Sequence, residues 1–132
     1  TSTSCLVDSR GAFLLLRLLT TISLVVADAF SNLLYNENGT EVVGHNTGLC
    51  TLTPAVNNTG SLYDVCTIVH YFNNEADQVV LVGGLNFVAA VSPMAVVGGI
   101  GAYKGASGSC ITTESGNQFL YECDFWTPNY QN

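Results

Sequence analysis

Five cysteines and two histidines are the residues of this 132-residue chain whose types best support chemistry. Four of the cysteines form two pairs, each placed symmetrically about a predicted turn. The pairs are Cys50 with Cys66, about a loop centred on Asn58, and Cys110 with Cys123, about Gly116-Asn117. Symmetric residues of an antiparallel hairpin face each other, with β-carbons about 4.5–5.5 Å apart, and a disulfide draws them somewhat closer. The spacing therefore predicts one disulfide within each pair and leaves Cys5 over.

Neither histidine belongs to a catalytic or metal-binding pattern. A Ser-His-Asp triad would need His45 or His70, and neither has a nucleophile elbow near it. No second ligand lies at suitable spacing on a clear face beside them, so we expect no metal site. Asp64 and His70 share one face of a predicted strand, which allows a polar spot in a pocket. We expect that face to be the solvated exterior.

The composition favours a compact β protein. Hydrophobic residues make up 48% of the chain and charged residues only 10%, against about 25% charged in an average domain. The length suits one domain with a real core. Ten acidic and three basic side chains give a net charge of −7, which argues against nucleic acids and anionic membrane surfaces as partners.

Two glycosylation acceptor sequences fall where turns are predicted, Asn38-Gly39-Thr40 and Asn57-Asn58-Thr59. Together with the cysteines they favour an oxidising secretory route. We therefore expect glycans at Asn38 and Asn57 and a secreted, extracellular protein.

The most apolar run covers residues 12–27, after a polar arm at residues 1–11. Arg17 interrupts the run, and its uninterrupted apolar length is well short of the ~20 residues of a spanning helix. A buried strand pair, or one long strand bent near Thr20, is the favoured interpretation; a helix or membrane contact is the alternative. We expect no membrane span.

Short β-type segments alternate with turn signals through the rest of the chain. The predicted strands cover residues 30–35, 41–53, 61–72, 78–90, 94–97, 106–113 and 117–126. Asn38-Gly39 predicts a type I′ hairpin turn. Strands of this length and spacing predict a sandwich or a barrel, and the residues alone leave that choice open.

The densest turn signal lies within Met94 to Cys110, where Gly98, Gly99, Gly101 and Gly105 predict a sharp connection between antiparallel strands. Its centre, Val97-Gly98-Gly99-Ile100-Gly101-Ala102-Tyr103-Lys104-Gly105-Ala106-Ser107-Gly108, resembles the V-x-G-G-T-G-x-Y-x-G-A-x-G segment of the dirigent and allene oxide cyclase barrels. Upstream, Asn38-Gly39-Thr40, Val43-Gly44 and Thr47-Gly48-Leu49-Cys50 resemble the G-x-x-V-G-x-x-x-G-x-C strand of that superfamily. Tyr121-Glu122-Cys123 is similar to the cysteine-bearing last strand of some dirigent proteins.

This resemblance implies an eight-stranded antiparallel β-barrel of the kind that commonly forms homo-oligomers. We accordingly expect an N-terminal arm over residues 1–11, one barrel domain over residues 12–126 and a C-terminal tail over residues 127–132. Some dirigent proteins join an N-terminal cysteine to the last strand. The resemblance therefore offers Cys5–Cys123 as a rival disulfide, which would leave Cys110 free.

The resemblance also implies a function: binding a small, apolar, reactive molecule and guiding its cyclisation or coupling without a cofactor, through orientation and exclusion of water. An apolar lumen for that purpose needs one or two polar anchors. The candidate anchors are Tyr63, Tyr71, Tyr103, Glu41, His70 and Arg17, and no catalytic residue is assigned.

The alternative function is that of a non-catalytic secreted glycoprotein subunit with a structural or assembly role. In that case the apolar run 12–27 and Cys5 would serve contacts between subunits. A cavity of about 300 Å³ or more with convergent polar groups would favour the ligand-binding function. A lumen filled by Leu, Val and Phe would favour the structural one.

Overall fold

The computed structural model of the chain describes residues 2–8, 14–20, 23–54, 62–86 and 89–128, with side chains over 28–51, 64–86 and 89–128. Over these residues the chain is all β apart from one 3-10 turn, Gly101–Tyr103. The described strands are β1 Ser2–Asp8, β2 Leu14–Thr20, β3 Ser23–Tyr35, β4 Val42–Pro54, β5 Leu62–Phe72, β6 Asp77–Asn86, β7 Val91–Ile100, β8 Ser107–Ser115 and β9 Gln118–Trp126.

The strands form one antiparallel sheet that curls until its ends meet. Its order is β1-β9-β8-β7-β6-β5-β4-β3-β2, and an additional pairing of β1 with β3 closes the ring. β3 is 13 residues long, so its first half pairs with β2 and its last residues pair with β1. Eight of the nine described strands therefore form the ring, and the predicted eight-stranded antiparallel barrel is confirmed.

The N-terminal segment is part of this barrel. Residues 2–8, expected to belong to an arm, form β1, which pairs with β9 from Ser2 opposite Asp124 to Asp8 opposite Gln118. The apolar run is a strand pair, β2 with the start of β3. Among the described residues no helix is long and apolar enough to cross a lipid bilayer.

The alternation of side chains along β5 shows which face is the inside of the barrel. Asp64, Cys66, Ile68 and His70 are buried, while Val65 between them is 49% exposed. The expectation of a solvated exterior for Asp64 and His70 is therefore wrong. The pattern assigned the residues to one face correctly, but both faces of this strand are similarly apolar, so only the curvature of the closed sheet distinguishes inside from outside. The interior is packed further with Leu34, Cys50, Val79, Leu81, Met94, Val96, Cys110, Tyr121, Cys123 and Phe125.

Two disulfides join adjacent strands inside the lumen. Cys50 bonds to Cys66 and Cys110 bonds to Cys123, with Cα–Cα distances of 4.1 and 3.9 Å. Each pair is in direct cross-strand register. These are the pairs that the symmetric spacing favours, and Cys5 lies on β1 opposite Tyr121.

The glycine-rich segment connects β7 to β8 through the 3-10 turn, as predicted. Gly101 and Gly105 have φ angles of 65° and 72°, in the left-handed region that favours glycine. The turn places the Tyr103 ring 5.8 Å from Phe72 and 5.5 Å from Phe125, centroid to centroid. These rings pack at one end of the barrel, which we call the glycine-rich end; the β3–β4 and β5–β6 connections lie at the same end.

The predicted type I′ turn at Asn38-Gly39 is not formed. Such a turn needs positive φ at both central residues, and of these two only Gly39 has it, at 67°. Residues 36–41 instead form a longer loop organised by Asn36, whose Oδ1 accepts a hydrogen bond from the Thr40 backbone N–H at 2.9 Å. Asn38 is exposed in this loop, and Asn57 lies outside the described residues.

Candidate functional site

A buried pair of amides lies on the inner wall of the barrel. Asn32 on β3 and Asn46 on β4 are register partners, and Asn32 Nδ2 donates a hydrogen bond to Asn46 Oδ1 at 3.4 Å. The two residues are 8% and 0% exposed. Within the described part of the chain, Asn32 Oδ1 and Asn46 Nδ2 have no hydrogen-bond partner. The wall therefore presents one acceptor and one donor side by side.

A groove of about 1030 Å³ at the glycine-rich end is lined by Asn32, one member of this pair. Its walls come from the second half of β3, the start of β4, the end of β5 and the β5–β6 turn. The lining combines the inward-facing Asn32 and Phe72 with the outward-facing Leu33, His45 and Tyr71. The groove therefore passes over the barrel rim and connects the outside of the sheet with a buried polar group.

Two stacked rings form the outer wall of the groove. The His45 and Tyr71 rings lie 4.7 Å apart and are inclined by only 10°. His45 Nε2 lies 3.4 Å from Glu75 Oε1, and the Thr47 hydroxyl donates to the Tyr71 hydroxyl oxygen at 3.3 Å. Polar contacts at both sides thus hold this platform, against which a flat apolar ring can stack.

The β5–β6 turn that carries Glu75 has an uncommon backbone. Asn73, Asn74 and Glu75 have φ angles of 50°, 51° and 68°, although none is glycine. Asn73 Nδ2 donates to an Asp77 carboxylate oxygen at 3.3 Å, and a Gln78 side-chain N–H donates to the Glu75 carbonyl at 3.1 Å. A conformation of this kind persists only when its surroundings impose it, and here it positions Glu75 beside His45.

His70 lies beside the amide pair, opposite Asn46 in register on β5. Its ring is 3% exposed and meets the Tyr121 ring edge-on, at a centroid distance of 4.8 Å. Burial lowers the pKa of His70 to about 4, because the interior disfavours the charged imidazolium. His70 is therefore neutral at pH 7 and acts as a dipole there.

Asp64 is the most buried carboxyl described, at 2% exposure. It lies near the start of β5, toward the end of the barrel opposite the glycine-rich end. Burial raises its pKa, and the negative charge of Asp28 raises it further. Its Oδ1 has no hydrogen-bond partner among the described residues.

The four predicted ligand anchors whose side chains are described, Tyr71, His70, Tyr103 and Glu41, do not converge on one site. Tyr71 lines the groove from the outer face, whereas the adjacent His70 points into the lumen. Tyr103 packs between Phe72 and Phe125, and Glu41 is exposed in the β3–β4 loop. The side chains of Arg17 and Tyr63 lie outside the described residues.

Asn32 and Asn46 were missed by the sequence interpretation. Asparagine is depleted in strands, so an Asn within a predicted strand needs a reason. Asn46 falls in the predicted strand 41–53 and Asn32 in the predicted strand 30–35. Asn46 and Cys50 are an even number of residues apart, so on a strand their side chains lie on the same face. The predicted Cys50–Cys66 pairing could therefore have identified that face as the inner one.

No protein-family model and no curated protein matches this sequence. Solved structures do. A pyocyanin demethylase superposes with a TM-score of 0.74 at 18% identity, over 96% of this chain and 100% of that chain. The pterocarpan synthase dirigent protein GePTS1 gives 0.69 at 16% identity, over 100% of this chain and 87% of that one. PsPTS1, a second pterocarpan synthase dirigent protein, gives 0.68 at 16% identity, over 95% and 92%. These likenesses establish the fold: the chain is a dirigent-like β-barrel.

Proposed function

We propose that this barrel binds a small, largely apolar and reactive molecule at its glycine-rich end and guides its cyclisation or coupling without a cofactor. The observation that carries the proposal is the Asn32–Asn46 pair, which has a free acceptor and a free donor: Asn32 lines a groove of about 1030 Å³, and Asn46 is its buried register partner. A buried polar group without a partner costs about 1–3 kcal/mol. A ligand that carries both a hydroxyl and a carbonyl oxygen would remove that cost at both amides.

The surroundings of the amide pair suit orientation rather than acid–base chemistry. Leu34 and Phe72 provide apolar walls beside it, and His70 is neutral at pH 7. Asn46 Nδ2 can donate to a ligand oxygen on which negative charge develops. Holding a reactive molecule in one conformation selects one product among several, and exclusion of water protects the reactive intermediate.

The names of the structural neighbours support the proposal that a barrel of this fold acts on small organic molecules. One is named for demethylation of pyocyanin, and two are named as pterocarpan synthase dirigent proteins. A dirigent-like barrel can therefore carry reactions of organic molecules, and the present chain has the same fold with its own set of polar groups in the lumen.

We further propose that the protein is a secreted glycoprotein. Disulfides persist in oxidising compartments, and two bridges lie in the lumen wall. Asn38 is exposed in the β3–β4 loop, where a glycan meets no packing. Peptide mass spectrometry of secreted material before and after deglycosylation tests this, and unmodified Asn38 and Asn57 would reject it.

The structural-subunit alternative is favoured by the outer surface of the sheet. Leu33, Leu49 and Val65, on β3, β4 and β5, are each about half exposed, at 49%, 52% and 49%. Leu49 and Val65 are diagonal neighbours across the β4–β5 register, and adjacent exposed aliphatic side chains are typical of protein interfaces, so this face suits a homo-oligomer. Light scattering of the wild type and of Leu49→Lys tests it: a stable oligomer that the charge dissociates supports an assembly role.

The guiding function is tested by the stereochemistry of a coupling reaction. A phenol oxidised by a one-electron oxidant couples at random in solution, and chiral chromatography measures any excess of one enantiomer. We expect an excess with the wild type and none with Asn32→Leu/Asn46→Leu. Asn38→Leu, which changes an exposed amide that does not line the groove, is the matched control and should behave as wild type. Racemic product from a panel of phenols with wild-type protein would contradict the guiding function.

A further inference from the structure

Three potential metal ligands lie together on the lumen wall between β4 and β5. The Sγ atoms of Cys50 and Cys66 and a carboxylate oxygen of Asp64 are all within 4.8 Å of one another, and all three residues are buried. Cys50 and Cys66 are opposed in register. Asp64 precedes Cys66 by two positions on β5 and so shares its face.

With the disulfide formed, the hydrogen-bonding capacity of the Asp64 side chain is not fully used. Its side chain is 2% exposed, yet Oδ1 has no hydrogen-bond partner among the described residues. A buried carboxyl oxygen without a partner is costly. Such a group in a native protein calls for an explanation, of which a bound ion is one.

We propose that reduction of the Cys50–Cys66 disulfide creates a site for a zinc-like divalent metal ion, bound by the two thiolates and the Asp64 carboxylate. Zinc takes cysteine sulfur at about 2.3 Å and carboxylate oxygen at about 2.0–2.2 Å, so its ligand atoms lie roughly 3–4 Å apart. The two sulfur atoms, bonded to each other in the disulfide, must move apart to this spacing after reduction, whereas the carboxylate oxygen, within 4.8 Å of both, needs only a small approach. The fourth ligand would be water or Asp28, which lies opposite Cys50 in register on β3 but is not part of the three-residue cluster.

The chemistry balances with a dithiol as the reductant. The dithiol gives up two electrons and two protons, which break the Cys50–Cys66 sulfur–sulfur bond and form two protein thiols, and the dithiol itself becomes a cyclic disulfide. Metal binding then releases both thiol protons, together with any proton on Asp64. The site is therefore redox-gated: the oxidised barrel holds a disulfide where the reduced barrel holds a metal ion.

The second disulfide is an internal control. Cys110 and Cys123 are also opposed in register on adjacent strands and also line the lumen. Within the described residues no acidic side chain joins them in a ligand cluster. Asp124, next to Cys123, is exposed and lies on the other face of β9. The metal site is thus expected at the β4–β5 pair alone.

Cobalt(II) is the probe, because tetrahedral thiolate coordination gives it intense visible and near-ultraviolet bands. Two proteins are reduced, freed of reductant under anaerobic conditions and titrated: Cys5→Ser/Cys110→Ala/Cys123→Ala, and Cys5→Ser/Cys50→Ala/Cys66→Ala. We expect bands that saturate at one cobalt per chain in the first protein, none in the second, and none in the first before reduction. Asp64→Asn in the first background should weaken cobalt binding at least tenfold, and Glu122→Gln, an exposed carboxylate, should not.

Two results would overturn the proposal: no tetrahedral band from the reduced Cys50/Cys66 protein, or equal bands from both cysteine pairs. Circular dichroism follows the β-sheet signal throughout, and collapse of the barrel on reduction also counts against the site. Reduced wild type, with both pairs present, is titrated in parallel, so that poor folding of a triple variant does not decide the result. Cobalt binding does not involve the amide pair or its ligand, so this experiment does not test the proposed function.

Discussion

Phe30 covers Gly48: the two residues are register partners on β3 and β4, and the phenyl ring occupies the space that a β-carbon at Gly48 would fill. A ring that packs on a strand glycine fixes the local register. Replacing Gly48 by Ala forces the ring to move, and overpacking of this kind costs about 1–3 kcal/mol. We expect urea denaturation to show an unfolding free energy lower by about that amount.

Gly98→Ala is the control for that substitution. No atom lies within 4 Å of a β-carbon built at Gly98 on β7, so its unfolding free energy should stay within about 0.5 kcal/mol of the wild type. Equal losses from the two substitutions would show that glycine loss in general, and not the Phe30 contact, is responsible.

The contribution of the Asn32–Asn46 pair to the free energy of unfolding can be measured separately from ligand binding. Asn46→Leu leaves Asn32 buried without its partner and should cost about 1–3 kcal/mol. Adding Asn32→Leu removes that uncompensated group, so we expect the double variant to recover most or all of the loss. Thermal and urea unfolding of the three proteins measure this, and additive losses would show that the two amides are not coupled.

The lowered pKa of His70 predicts that the free energy of unfolding decreases on acidification. The unfolded chain binds a proton on His70 below the ordinary pKa of 6.5, whereas the folded chain does so only below about 4. Stability therefore falls as the pH drops from 6.5 to about 4, by roughly 3 kcal/mol in all. Above pH 6.5 the residue is neutral in both states and contributes no pH dependence.

His70→Gln isolates this contribution. Asp64 acts in the opposite sense, because its raised pKa lets the folded chain take up a proton before the unfolded chain does. We therefore expect the difference in unfolding free energy between wild type and His70→Gln to change by roughly 3 kcal/mol between pH 7 and pH 4. A difference that stays constant over this range would contradict the buried, neutral assignment.

The disulfide pairing leaves the thiol of Cys5 to be accounted for. With Cys50–Cys66 and Cys110–Cys123 formed, we expect the denatured, non-reduced chain either to take up one alkylating group or to run as a covalent dimer on a non-reducing gel. Mass spectrometry of a non-reduced digest identifies the linked peptides. A Cys5–Cys123 peptide would contradict the pairing.

The fold was predictable where local residue chemistry determines it. The spacing of Cys50 and Cys66 indicated a hairpin, and the glycines around Gly101 indicated the β7–β8 connection. β1 was not predictable in this way, because a strand that closes a ring is defined by partners distant in the sequence, here β9 and β3.

The candidate site was less predictable than the fold, for the same reason. The interpretation placed Asp64 and His70 on a common face but assigned that face to solvent, since closure of the sheet and not composition decides which face is inside. Tyr71 and His70 were grouped as anchors, although adjacent strand residues point to opposite faces. Asn32 and Asn46 become a pair only through the β3–β4 register, which a bulge between Leu34 and Tyr35 shifts.

The binding of a ligand at Asn32 and Asn46 is tested most directly by the side-chain amide resonances of these residues. In a two-dimensional ¹H–¹⁵N NMR titration with a library of aromatic ketones and phenols, Asn32→Leu and Asn46→Leu assign the two amide signals. We expect at least one compound to shift the Asn46 amide signal saturably, and the shift to vanish in Asn32→Leu/Asn46→Leu. Saturable shifts confined to the outer face around Leu33 and Leu49, with both amide signals unchanged, would contradict a ligand site inside the barrel.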